Sequence, residues 1–320
     1  GLWLCAVTNS SGKARVMHKQ CEPVFAFDVA SAMSRGARDY QEDAMLANIA
    51  NGADLGFVIL ADGMGGHAAG DVASQIVLTE VFRALTFMRS EMVADRTCIP
   101  ETLRDAARAA NSRLRSHVEM HSECSGMGST LVVTVLIGDE LHWISIGDSP
   151  LFLFRDNELT QLNEDHSMSR AIDTMVAAGA MSAAEGKDHP DRNVLTAVLY
   201  GKPIPHVDCP DTPLMLKGGD TLIVASDGLQ FLPNVEIEAV LRDQPLSGSA
   251  EISDSLMEGL ERLQDPDLDN VSLSVVQVKT ARTGSGVRPV VPLRVIETGS
   301  IPDFVQPMFS IGPRTKGAAG

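Results

Sequence analysis

The sequence predicts an α+β fold in which antiparallel sheets pack on each other and helices lie outside. Three observations lead to this. Short β-rich runs separated by turn residues fill both halves of residues 25–278, two long amphipathic helices are inserted between them, and strands and helices do not alternate as in a βαβ nucleotide fold.

Residues 25–33 (FAFDVASAM) and 56–62 (GFVILAD) are rich in strand formers. Asn51-Gly52 and Gly56 supply turn chemistry between them, so they are expected to pair. From Asp71 to about Met88 the apolar positions Val72, Ile76, Val77, Val81, Leu85 and Met88 recur at helical spacing, and Glu101 to about Met120 does the same. The period then changes to that of strands at 130–137, 141–146, 151–155 and 158–162. Gly138-Asp139, Asp148-Ser149 and Asp156-Asn157 separate them as hairpin turns would, which predicts an antiparallel meander. Residues 165–200, rich in Ala and Met, suit short helices and a loop. Strands return at 221–226 and 271–278, with helical patterns at about 234–242 and 249–264 between them. Residues 1–22 read as an N-terminal extension, 23–279 as the folded domain, and 280–320, opening on ARTGSGVRP, as a linker or disordered tail.

At 320 residues and 44% hydrophobic, the chain can bury a large core. Its apolar runs fall far short of the roughly 18 residues a membrane span needs. Leu2–Val7 lacks the basic lead and cleavage site of a secretory signal, so a cytoplasmic protein without membrane association is expected. The opening glycine is read as that of a fragment. Cys5, Cys21, Cys98, Cys124 and Cys209 are odd in number, widely spaced and never paired as CxxC, which argues for reduced thiols over disulfides or zinc. The net charge of −16, from 42 acidic against 26 basic residues, repels phosphodiesters and speaks against nucleic-acid partners. The same excess suits a site that concentrates carboxylates on divalent cations.

Five blocks hold the candidate chemistry. Asp62 ends an apolar strand and opens Asp62-Gly63-Met64-Gly65-Gly66-His67, whose glycines let backbone, including a carbonyl, approach an ion or phosphate. The adjacent acids Glu42 and Asp43 follow Arg38, a guanidinium able to fork onto phosphate oxygens. Asp148 lies in Ile146-Gly147-Asp148-Ser149, Asp227 ends a buried strand in Ala225-Ser226-Asp227-Gly228, and Asp269 immediately precedes one. Each block alone has an ordinary reading as a glycine-rich loop, a solvated salt-bridge cluster or an aspartate in a turn. Together, acids at several strand ends can converge on one sheet rim. Oxygen donors without nearby Cys or paired His favour Mg²⁺ or Mn²⁺ over Zn²⁺.

Read in order, the R-x-x-x-E-D block, ADGMGGHAAGD, GMGST, GDS, DHS, HPDRNVLTAVLYG, SDGL and a DN before the last strand resemble the protein phosphatase 2C family, particularly its bacterial branch, over residues 25–278. The resemblance implies a four-layer α-β-β-α sandwich, with residues 23–279 as catalytic domain. It further implies metal-dependent hydrolysis of phosphoserine and phosphothreonine in proteins, by activated water and without a phosphoenzyme. It implies two Mn²⁺ or Mg²⁺ ions, with Asp62 bridging, Asp227 and Asp269 completing one, and the Glu42/Asp43 pair with the Gly63 carbonyl serving the other. Asp148, with the Ser167 carbonyl, matches the holder of a third, weaker ion. Arg38 matches the phosphate-binding arginine and His67 the general acid, while His166 is read as structural.

Pro150 stands where many relatives carry arginine after GDS, so a positive side chain behind the site is absent. Residues 168–193 correspond to the family's variable flap. Met168, Met175 and Met181 there are expected to pack a core rather than wall a peptide site. Expected partners are phosphorylated proteins and a cognate serine/threonine kinase, with the chain a monomer. Rival readings are a silent phosphoprotein-binding module, disfavoured by so many retained mutually repelling acids, and a small-molecule phosphohydrolase using the same ions.

Overall fold

The computed structural model describes residues 25–50, 55–65, 69–244, 247–280 and 295–297. In chain order, β1 (Phe25–Ser34), β2 (Asp43–Asn48) and β3 (Gly56–Met64) precede two long helices, α1 (Ala69–Ala94) and α2 (Ile99–Met120). The short β4 (Gly128–Ser129) leads into β5 (Leu131–Ile137), β6 (Glu140–Ile146), β7 (Leu151–Arg155) and β8 (Glu158–Gln161). The small helices α3 (Ser169–Ala177) and α4 (Ala183–Lys187) follow. After them come β9 (Leu214–Met215), β10 (Thr221–Ala225), α5 (Asn234–Asp243), α6 (Ser249–Leu263), β11 (Val271–Thr280) and β12 (Val295–Glu297).

Two sheets result, one in the order β12-β1-β11-β10-β7-β8 and the other β2-β3-β5-β6-β9. Their central strands are continuous apolar runs because each is covered on both faces. In the second sheet Phe57, Ile59, Ala61, Val133 and Val135 pack with Val77, Val81 and Leu103 of α1 and α2. The alternate residues Val58, Leu60, Val132 and Leu136 meet Leu222, Val224, Val276 and Val278 of the first sheet. That sheet turns Ile223, Ala225, Leu273 and Val275 outward onto Ile237, Leu256 and Leu260 of α5 and α6. Period-two alternation thus builds the expected α-β-β-α layering.

Two pairings differ from expectation. Residues 25–33 and 56–62 lie in different sheets: β1 pairs along its whole length with β11, and β3 pairs with β2 and β5. The strand β2, DAMLAN, has no β-branched residue, so nothing in its pattern announces it. The meander is also broken. The β5–β6 and β7–β8 pairs are hairpins, the latter turning on Asp156 and Asn157 at φ 54° and 65°, but β6 and β7 belong to different sheets. Gly147-Asp148-Ser149-Pro150 is therefore a crossover between layers rather than a hairpin. Gly147 has φ +111°, and a Cβ there would lie 2.7 Å from the Thr130 side chain, so glycine is required at that bend.

The three flap methionines do not pack a core. Met175 is 37% exposed and Met168 and Met181 are half-buried, whereas Ile172 anchors α3. Ile172 is the one buried residue of α3, and Met168 and Met181 lie outside the helix, before and after it. Residues 1–22 lie outside the described residues. Within 280–320, Val295–Glu297 run parallel to Ser31–Met33 at the β1 edge. Among the described residues no helix is long and apolar enough to cross a membrane.

Candidate metal centre

The acids are brought together because the strands that carry them end at one rim of the sandwich. Asp43, first residue of β2, stands directly opposite Asp62 near the end of β3. Asp227 follows β10 by two residues, and Asp269 precedes β11 by two. Asp148 reaches the same rim from the crossover. Five aspartates and Glu42 thus come to one rim from both sheets. Burial raises Asp62 well above the usual carboxylate range, with Asp43, Asp227, Asp148 and Asp269 adding to the shift. Asp43 is pushed from 3.8 to about 7 by burial, despite the hydrogen bond it accepts from Ser226 Oγ. Burial, then Asp227 and Asp165, push Asp148 to about 7. Asp227 rises to about 6 through burial and Asp269, opposed by Arg38 and by a hydrogen bond with the Asp62 carboxyl.

Each side chain has a holder. Ser226 Oγ donates to Asp43 Oδ2 at 2.8 Å and accepts from the Ser272 N–H at 2.9 Å, tying β10 and β11 to the opposite sheet. Thr130 Oγ1 lies 3.1 Å from the Asp62 nitrogen and 2.9 Å from Ser149 Oγ, linking Asp62 to the Asp148 crossover. Arg38 Nη2 contacts Asp269 Oδ2 at 2.6 Å, while half of the arginine side chain stays in solvent. His166 is buried and structural: its Nδ1 accepts from the Gly147 N–H at 3.2 Å, fixing the loop beside Asp148.

Glu42 and Gly63 meet at the start of α1. A Cβ on Gly70, the second residue of α1, would collide with Glu42 Oε1 and stand 3.0 Å from the Gly63 carbonyl oxygen, so a larger residue there would displace the Glu42 carboxylate. Glycine in a helix costs about 1 kcal/mol against alanine. That cost, visible in the sequence, is the signal that could have marked Gly70. Asp71, beside it, raises Glu42 further and has a buried Oδ1 without a partner.

Asn270, quoted from the sequence only as part of the DN block, has a role of its own. Its Oδ1 accepts the Glu42 N–H at 2.7 Å, and its Nδ2 donates to the Arg35 and Tyr40 carbonyls, both at 2.9 Å. One buried amide therefore holds the loop that bears Arg38, Glu42 and Asp43. Replacing it (Asn270→Ala) leaves three backbone groups unpaired and is expected to cost roughly 2–4 kcal/mol. Urea unfolding with an unchanged m-value checks this.

Among the described residues no three His, Cys, Asp or Glu side chains close into a ligand set; Asp269 is held by Arg38 and Asp62 by Asp227 instead. Yet Glu42 Oε1 and Asp43 Oδ1 are buried with no hydrogen-bond partner. Unpartnered carboxylate oxygens among like charges suit a divalent cation, and the all-oxygen donor set suits Mg²⁺ or Mn²⁺. His67 lies outside the described residues.

Two packed β-sheets flanked by helices, with carboxylates from both meeting at one rim, define an α+β sandwich that carries a candidate cation site. The chain belongs to the protein phosphatase 2C family, whose model matches residues 32–273. It is 35% identical over 219 residues to the serine/threonine protein phosphatase PstP of Mycobacterium tuberculosis, covering 68% of this chain and 40% of that protein. It is 32% identical to the serine/threonine phosphatase stp of Listeria welshimeri, covering 61% and 75%. A crystal structure of the M. tuberculosis PstP superposes with a TM-score of 0.66 at 33% identity, over 79% of this chain and 99% of that one. The PstP catalytic domain in complex with two manganese ions gives 0.63 at 31% identity, over 80% and 99%.

Proposed function

We propose that the chain hydrolyses phosphoserine and phosphothreonine in proteins with the help of two Mn²⁺ or Mg²⁺ ions and a third, weaker one. The observation that carries this reading is the rim itself: six acids, two with buried unpartnered oxygens, beside a half-exposed arginine. Asp62, Asp227 and Asp269 would hold one ion. Asp62, the Gly63 carbonyl and Glu42 would hold the second, with Asp43, steadied by Ser226, facing Asp62. Asp148 would hold the third. Two divalent cations supply Lewis acidity, acidifying water and offsetting phosphoryl charge.

The chain's own residues do the rest. Arg38 reaches the rim from the loop pinned by Asn270, and its remaining N–H groups fork onto phosphoryl oxygens and orient phosphorus for in-line attack. The carboxylates fix where charge is compensated before the reaction begins, so little reorganisation is needed. His67 is proposed to return a proton to the leaving serine or threonine oxygen. We assign the same chain a monomeric, cytoplasmic role on proteins phosphorylated by a serine/threonine kinase, the reaction class that must supply its substrate.

The test is hydrolysis of phosphoserine, phosphothreonine and phosphotyrosine peptides with Mn²⁺ and with chelator. The first two are expected to be cleaved, the third poorly, and chelation to abolish all turnover. Cleavage that survives chelation would refute metal dependence, and preference for a small phosphorylated metabolite would refute the substrate class.

A further inference from the structure

Between α2 and the segment 200–207 lies a groove of about 480 Å³. Arg104, Arg108, Asn111 and Arg115 recur at helical spacing and present one face of α2 to it. Exposed Arg108, Arg115 and Lys202 line it together with the half-buried Ile204 and the exposed Val207, which give it an apolar wall over the buried Ala107 and Ile144. Arg108 is paired with Glu101 and Asp105 at 2.8 and 2.6 Å. Among the described residues, Arg115 and Lys202 enter no salt bridge. In a chain of net charge −16, the groove thus gathers two cations without a carboxylate partner, Arg115 and Lys202, the latter 5.4 Å from the Tyr200 ring centroid, beside apolar surface.

The groove is built in advance. Asn111 accepts from the Tyr200 and Gly201 N–H groups at 3.1 and 2.8 Å and donates to the Lys202 carbonyl at 2.7 Å, so one side chain fastens the wall to the helix. Gly201, at φ +81°, lies so close that a Cβ would stand 2.9 Å from the Arg115 backbone. The wall is also tied to the metal rim. Leu199 and Ser129 exchange backbone hydrogen bonds of 2.8 and 3.0 Å, and Ser129 faces Gly63 in the β3–β4 ladder. Two strand spacings amount to about 10 Å, and the two residues from Leu199 to Gly201 add at most about 7 Å.

Resting on the phosphatase reading above, we propose that this groove docks an acidic segment of the phosphoprotein substrate, about five to eight residues from the phosphorylated one. A peptide with one or two carboxylates and an aliphatic residue matches the exposed cations and the apolar wall at Ile204 and Val207. A long polyanion such as RNA matches poorly, because it would have to lie along the acidic remainder of the surface.

Two measurements on the full chain test this. In the first, a fluorescein-labelled, unphosphorylated peptide with a short Asp/Glu cluster is titrated by anisotropy. Binding should weaken with salt and fall about tenfold or more in Arg115→Glu/Lys202→Glu. Arg115→Ala/Lys202→Ala should give an intermediate loss with a wild-type melting midpoint, which separates lost docking from lost folding. In the second, phosphothreonine peptides with and without that distal cluster are compared with Mn²⁺. The acidic peptide should show about tenfold lower KM, the advantage should vanish in the charge-reversed protein, and hydrolysis of p-nitrophenyl phosphate should be unchanged in it. Equal binding of a neutral peptide, indifference to the double variant, or tighter binding of an oligonucleotide would each overturn the docking assignment. Groove binding of the acidic peptide without hydrolysis of any phosphopeptide would instead overturn the phosphatase reading alone.

Discussion

Replacing Asp62 with asparagine is expected to abolish turnover while making the metal-free protein harder to unfold. Asp62 stands opposite Asp43 in the ladder, touches Asp227, and feels Asp148 and Asp269. Asparagine keeps the shape but removes the charge that two cations would share. The expected loss is at least about 10³-fold in kcat with Mn²⁺, or about 4 kcal/mol of transition-state stabilisation. The same substitution relieves like-charge repulsion and the burial of a carboxylate. The melting midpoint in EDTA should therefore rise by a few degrees, from roughly 1 kcal/mol. A merely structural aspartate would lose stability instead. Activity within tenfold of wild type would remove Asp62 from the metal set.

The second large effect is a reversal of the pH dependence of stability by metal. Asp43 and Asp148 titrate near about 7 in the folded chain and Asp227 near about 6, each against an ordinary value of 3.8. Between these limits the folded state binds more protons than the unfolded one, so stability falls as pH rises. The contribution is fully present below about pH 4 and is lost as the pH passes through 6 to 7. In EDTA the midpoint should thus be higher at pH 5.5 than at pH 7.5 wherever the remaining groups are indifferent. Mn²⁺ competes with these protons and binds the ionised set. At one hundred times its Kd an ion adds about 2.7 kcal/mol, or roughly 5–10 °C for a domain of this size. With Mn²⁺ the order of the two midpoints should invert. Calorimetric scans at the two pH values, with and without metal, decide it; parallel curves would mean that the rim acids do not bind the ion.

Much of the architecture was legible because burial writes itself into the pattern. The runs FVILA of β3, LVVTVLI of β5 and TLIVA of β10 are apolar on both faces, and only a strand between two covered layers needs that. The helices α1 and α2 announced themselves by period. Partners were harder. β2 carries Asp, Ala, Met, Leu and Asn, a composition equally at home in a helix, so its place beside β3 came only from the three-dimensional register. The break at Gly147–Pro150 was hidden because a turn between strands in one sheet and a crossing between sheets use the same residues.

For the site, the acids were readable but their supports were not. Asp62, Asp148, Asp227 and Asp269 mark strand ends. Asn270 and Ser226 act through contacts 228 and 183 residues away in sequence. No local pattern encodes such a contact. Glu42 and Asp43, adjacent in sequence, diverge in the fold: the Glu42 carboxylate lies against Gly70, whereas Asp43 stands opposite Asp62 and beside Ser226.

The hydrogen bond from Ser226 to Asp43 has a mechanical consequence. It crosses the seam between the two sheets, and the acids on either side of it, Glu42, Asp43 and Asp62 from one layer and Asp227 and Asp269 from the other, line that seam. A cation held there acts as a rivet through both plates. Slippage of one plate past the other by a single residue, about 3.3 Å, would pull the two halves of the cage out of register while leaving every strand intact. The site thus depends on the register between the two sheets and not on the integrity of either one alone.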